Sequence, residues 1–201
     1  MSSELYLGFV AASVLLILLP GPNVALIVAN SLAHGPRWGL VTVAGTSSAM
    51  VLQLALTVLG LSAFLAIMAD WFEWLRWIGV AYLVLLGLRA WRAEPDALRM
   101  PAPSARGVYL RGFLVSLANP KTLLFYGAFL PQFVAPDADL TRQLMLLAAT
   151  FLGIAVLLDS AWALMAGRLR AAVTSRGRLR HRLTGGLLIG AGLGLALARR
   201  S

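Results

Sequence analysis

The stretch Leu15-Leu16-Ile17-Leu18-Leu19-Pro20-Gly21-Pro22-Asn23-Val24-Ala25-Leu26-Ile27 decides the fold class. It lies in the middle of a run with no Lys, Arg, Asp or Glu between Glu4 and Arg37. About 20 mostly apolar residues suffice for a helix to cross a bilayer. A secretory signal peptide opens on basic residues, whereas this run follows Glu4 and stays apolar past any plausible cleavage point, so it reads as a retained helix. The prolines interrupt it. Proline lacks an amide donor and its ring clashes with the preceding turn, so the helix is expected to stop there and restart with Pro22 at its first position and Gly21 as the cap.

The rest of the chain repeats this composition. Of 201 residues 60% are hydrophobic and 12% charged, with mean hydropathy +0.82; average soluble domains are about 45–50% apolar and about 25% charged. Seventeen basic and eight acidic residues cannot coat a soluble domain of this size, so apolar surface must face lipid. Walking between charge clusters gives six apolar stretches: Leu5–Leu32, Gly39–Ala69, Trp74–Leu88, Val108–Val134, Leu144–Gly167 and Leu183–Ala198. The expected fold class is an all-α integral membrane protein with six transmembrane helices.

The connecting loops alternate in charge. His34–Arg37, Arg89–Arg111 and the arginine cluster from Arg168 to Arg182 are basic, while Asp70–Glu73 and Pro136–Arg142 are acidic. Basic loops accumulate on the cytoplasmic side, which places both termini outside, in the periplasm. Arg199 and Arg200 oppose that orientation and are outweighed by the fifth loop. Glu94–Ala105, with Pro95, Pro101 and Pro103, divides one transmembrane domain, 1–201, into halves of about 1–93 and 107–201 joined by a cytoplasmic loop, 94–106. Each half holds three helices, so the two enter the membrane in opposite directions, the arrangement of inverted-repeat transporters.

A second break supports that symmetry. Ala118-Asn119-Pro120-Lys121 interrupts the first helix of the second half where Pro20-Gly21-Pro22-Asn23 interrupts the first helix of the first. Pro120 should begin a half-helix capped by Asn119. Backbone groups freed at membrane depth are tolerated only against protein or a water-filled cavity. The N-terminus of a half-helix carries about half a positive charge, so Gly21, Pro22, Asn23, Asn119 and Pro120 form a candidate site for an anionic group such as a carboxylate.

Asp159 is the only carboxylate inside an apolar stretch. Placing a charge there costs about 2.5–3.5 kcal/mol on insertion scales, which makes it a candidate to exchange a proton or hold a substrate ammonium group. Lys121 is either its structural partner, a substrate contact, or a side chain reaching for the headgroups. Gln53, with Thr46, Ser47 and Ser48, either lines a cavity or bonds neighbouring helices. Gly186, Gly190 and Gly194 give the last stretch a flat face for close packing, within the chain or in a homo-oligomer. Trp71, Trp74 and Trp77 read as an interfacial belt.

Other classes are excluded. There is no cysteine and only two histidines, His34 and His181, so no metal site and no cofactor is expected. The charge of +9 and pI of 11.4 come from loop residues rather than one soluble face, which argues against nucleic acid. No H-E-x-x-H, G-x-S-x-G, Walker or G-x-G-x-x-G motif occurs, so no catalytic residues are assigned and the chain does not read as an enzyme.

Pro20-Gly21-Pro22-Asn23, Asn30-Ser31-Leu32-Ala33-His34-Gly35 and Gly39, Arg111-Gly112-Phe113, Asn119-Pro120-Lys121 and Phe129-Leu130-Pro131-Gln132-Phe133, in this order over nearly the whole chain, resemble the LysE/RhtB family of amino-acid exporters. The resemblance implies a six-helix protein of the bacterial inner membrane that exports an amino acid or derivative from cytoplasm to periplasm, driven by the proton motive force. Asp159 falls where such proteins commonly place an acid. One departure stands out: where many members carry an acid or amide and then His in the second helix, this chain reads Ala49-Met50-Val51-Leu52-Gln53. The alternatives are export of an inorganic cation and a non-transporting scaffold whose basic loops dock a partner or anionic lipid.

Overall fold

A computed structural model describes residues 1–92, 104–136, 138–173 and 177–197, and every regular element among them is helical. Helix α1, Ser3–Leu18, starts where the Ser2 side chain accepts a hydrogen bond from the Leu5 amide. It ends because residue 20 is proline, with Leu19 forced to extended backbone. Helix α2, Pro22–His34, restarts with Pro22 in its first turn and Gly21 as the cap, after a bend of 50°. It closes on Gly35, whose φ of 103° disfavours any residue with a side chain, and Pro36 opens α3 at once.

Helix α3 runs Pro36–Arg92 and is kinked at Gly60, the one non-helical residue inside it. The acidic loop expected at Asp70–Glu73 is therefore helical backbone, and the chain changes direction ten residues earlier, where glycine lets the ladder break. The second break is as expected: α4, Ala105–Leu117, and α5, Pro120–Leu124, meet at a bend of 44° with Asn119 as cap. Beyond α5 the helix widens to a π turn at Phe125–Phe129 and tightens to a 3-10 turn at Leu130–Phe133 around Pro131. Helix α6 spans Leu140–Val173 and α7 spans Gly177–Leu197. Of the expected 94–106 loop only the last three residues are among those described, the last two of them already in α4, and all its prolines lie outside.

Among the described residues, Pro36–Gly60 and Leu140–Arg170 are each long and apolar enough to cross a bilayer, and counting each proline-bent pair as one span brings the number to 4. Their outer faces carry what lipid requires: Leu59 is 85% and Leu157 72% exposed, with Leu7 and Leu15 alike in character. The interior holds a core of Phe9, Ile17, Met50, Leu54, Phe125, Tyr126, Leu147 and Phe151. Small residues let the helices approach. A side chain on Gly45 would strike the Tyr109 carbonyl, and one on Gly112 would meet the Thr42 carbonyl at 2.7 Å, so α3 and α4 cross backbone to backbone.

Candidate functional site

The two breaks meet. A cavity of about 900 Å³ is lined by Pro20, Gly21 and Pro22 of the first break, by Asn119, Pro120 and Lys121 of the second, and by Trp162 of α6. Its far wall is the glycine face of α7. Of the two packings expected of Gly186, Gly190 and Gly194, within the chain or in a homo-oligomer, the first is not made at Gly190 or Gly194: a side chain added at either would meet nothing within 4 Å, and this face borders the chamber.

Below this chamber lies a second, of about 10 Å³, room for roughly one water. Asn23, Met50, Asn119, Lys121, Thr122 and Asp159 surround it. Val24, Asn119 and Lys121 line both chambers and form the partition between them. Asp159 is 2% exposed and borders this smaller chamber together with Lys121. A carboxylate buried at this depth is costly to hold.

Each break frees carbonyl groups, and side chains from elsewhere answer them. Residue 20 cannot donate to the Leu16 carbonyl; Lys121 Nζ does, at 2.9 Å, and reaches the Leu19 carbonyl at 2.8 Å. In the second break Pro120 cannot donate to the Ser116 carbonyl, which accepts instead from the Asn119 amide at 3.1 Å and from Gln53 Nε2 at 3.2 Å. Gln53 Nε2 also serves the Leu117 carbonyl at 3.0 Å. Asn23 Nδ2 donates to Ser116 Oγ at 3.1 Å, and that hydroxyl donates to the Thr46 carbonyl.

The two half-helix starts are not equivalent. Asn119 Oδ1 accepts from the Lys121 amide at 3.1 Å and caps α5, which has only 5 residues. No side chain caps the first turn of α2, whose Asn23 and Val24 border the chambers. The end left without a side-chain cap is thus that of α2. Several side-chain atoms around the site are buried without partners: Asn23 Oδ1, Asn119 Nδ2, Gln53 Oε1 and the Tyr126 hydroxyl.

Of the residues expected from sequence, Gly21, Pro22, Asn119, Pro120 and Lys121 line the larger chamber, and Asn23, Asn119, Lys121 and Asp159 the smaller. Gln53 lines neither; it is 1% exposed and repairs the second break. Thr46 and Ser48 bond carbonyls of their own helix, at Val43 and Ala44. Sequence reasoning passed over Ser116, Tyr126 and Trp162. Ser116 carried a signal, since it stands four residues before Pro120 and must lose its helical donor.

A model of the LysE type translocator family matches residues 14–199, and the chain belongs to that family. It is 29% identical over 206 residues to a homoserine/homoserine lactone efflux protein of Salmonella typhi, covering 100% of both chains. It is 30% identical over 140 residues to a leucine efflux protein of Klebsiella pneumoniae, covering 66% of this chain and 65% of that one. An uncharacterized membrane protein of Pseudomonas aeruginosa is 31% identical, covering 96% of this chain and 95% of the other. No solved structure matches significantly.

Proposed function

We propose that this protein is a secondary-active exporter that moves a small amino acid or amino-acid derivative from cytoplasm to periplasm, in exchange for protons, through six helices arranged as two inverted halves. The observation that carries the reading is the convergence of both proline breaks on one chamber, beside the buried acid Asp159. Relatives named for homoserine, homoserine lactone and leucine efflux support a substrate with an α-amino group.

In this reading the substrate carboxylate docks at the uncapped first turn of α2, where Gly21 keeps side chains away and Pro22 fixes the helix start. Asn23 and Asn119 offer the unpartnered Oδ1 and Nδ2 for its remaining polar atoms. Asp159, screened by Val24, Asn119 and Lys121, carries the proton. Moving one charge through 100 mV supplies about 2.3 kcal/mol, a concentration ratio of about fifty, so a single proton is sufficient for export. Alternating access then exposes the chamber to each side in turn.

Counterflow in proteoliposomes tests this. Labelled amino acid should accumulate against a trapped pool of the same compound for at least one of the common amino acids or homoserine. Flux of an inorganic cation alone would favour the cation-exporter reading, and no flux would favour a scaffold.

A further inference from the structure

We infer that the carbonyl end of α1 is the seat of the transported molecule's ammonium group, and that Lys121 occupies it in this state as a built-in stand-in. The inference rests on the exporter reading above and adds a binding subsite for a primary ammonium ion.

The geometry is that of a broken helix whose two ends face one another. At the upstream end the Leu16 carbonyl has lost its helical donor to Pro20, and the Leu19 carbonyl lies beyond the last turn; both converge on a single Nζ at 2.9 and 2.8 Å. This is the negative end of α1. Only Leu19, Pro20 and Gly21 separate it from the uncapped positive end of α2. An α-amino acid carries an ammonium and a carboxylate one carbon apart, and the pair of ends offers one partner to each. In broken transporter helices the unwound carbonyls take cations while the half-helix N-terminus takes the anion.

Lys121 is placed as a removable occupant. Its stem lies against Gly21, where even an added Cβ would stand 3.4 Å from both Cε and Nζ, at ordinary contact distance. Its ammonium has three donors, of which two are used, both on main-chain oxygens rather than on a carboxylate. A second seat is at hand: Asp159 is buried and borders the same small chamber as Lys121. When the substrate ammonium takes the carbonyls, Lys121 turns to Asp159 and leaves the partition between the chambers. When Asp159 takes up its proton, Lys121 returns to the carbonyls. One ammonium with two seats thereby ties substrate release to protonation.

Substitution with chemical rescue tests the subsite without any transport measurement. Lys121→Ala deletes the atoms of a propylammonium ion. The purified variant should melt below the parent, and about 10 mM propylammonium chloride should restore most of the loss. The same concentration of propanol should restore nothing, and propylammonium should leave the parent and Lys121→Met unmoved. Indifference of Lys121→Ala to propylammonium, or an equal response to propanol, overturns the proposal. If Lys121→Ala cannot be purified with or without the amine, Lys121→Met decides. Freed of its internal competitor, it should bind the substrate found by counterflow, with leucine as the first probe, at least about threefold more tightly in thermal shift; unchanged or weaker binding overturns the subsite. Counterflow by the parent without amine rescue removes the subsite and leaves the exporter reading intact, whereas rescue without any amino-acid counterflow does the reverse.

Discussion

Lys121 donates a hydrogen bond of 2.8 Å to the carbonyl of Leu19, joining the second helix break to the first. Its counterpart runs the other way: Asn23, which follows Pro22 as Lys121 follows Pro120, donates to Ser116 at the end of α4. The residue after each break proline thus reaches across to the preceding half-helix of the other half. This reciprocity is what the proposed inverted repeat predicts, with Lys in one half at the place of Asn in the other.

Pro22 holds the α2 start open. Pro22→Ala should let the helix close toward Leu18, so the melting temperature in detergent holds or rises while substrate binding weakens about fivefold, the effect of about 1 kcal/mol of lost dipole. A variant that melts earlier and binds as well as the parent would reduce the break to a packing kink.

Gln53 should behave in the opposite way. Gln53→Leu removes the buried donor to the Ser116 and Leu117 carbonyls and should destabilise the protein by about 1–3 kcal/mol. Thermal melts in detergent measure this, and an unchanged midpoint would show that water replaces the amide.

Asp159→Asn keeps size and loses the proton. The variant should insert and fold as the parent does, with substrate counterflow retained and flux driven by a pH gradient abolished. Normal gradient-driven flux would make Asp159 a structural group.

Orientation can be read in this cysteine-free chain with single cysteines. Ala138→Cys should react with an impermeant maleimide added to intact cells, and Arg37→Cys only after permeabilisation. Equal reactivity of the two would contradict the proposed topology.

Much of this was legible in the sequence because it depends on what proline cannot do. Missing amides at residues 20, 22 and 120 place the breaks, and the caps Gly21 and Asn119 follow locally. The kink at Gly60 was not legible, since charge suggested a loop at Asp70–Glu73 and a glycine in an apolar run marks a bend only when packing demands one. Gly190 and Gly194 of α7 show a related limit: close spacing permits contact within the chain without requiring it, and here their flat face borders a chamber. The role of Gln53 was hidden because its partners, Ser116 and Leu117, lie more than sixty residues away.

The central claim is proton-linked export of an amino acid, and efflux under an imposed gradient tests it most directly. Proteoliposomes loaded with labelled leucine, homoserine or homoserine lactone should release at least one of them faster when the outside is made acidic, and a protonophore should remove the acceleration. Release that is the same with and without the gradient, for every one of these compounds and for the remaining amino acids, would contradict the account.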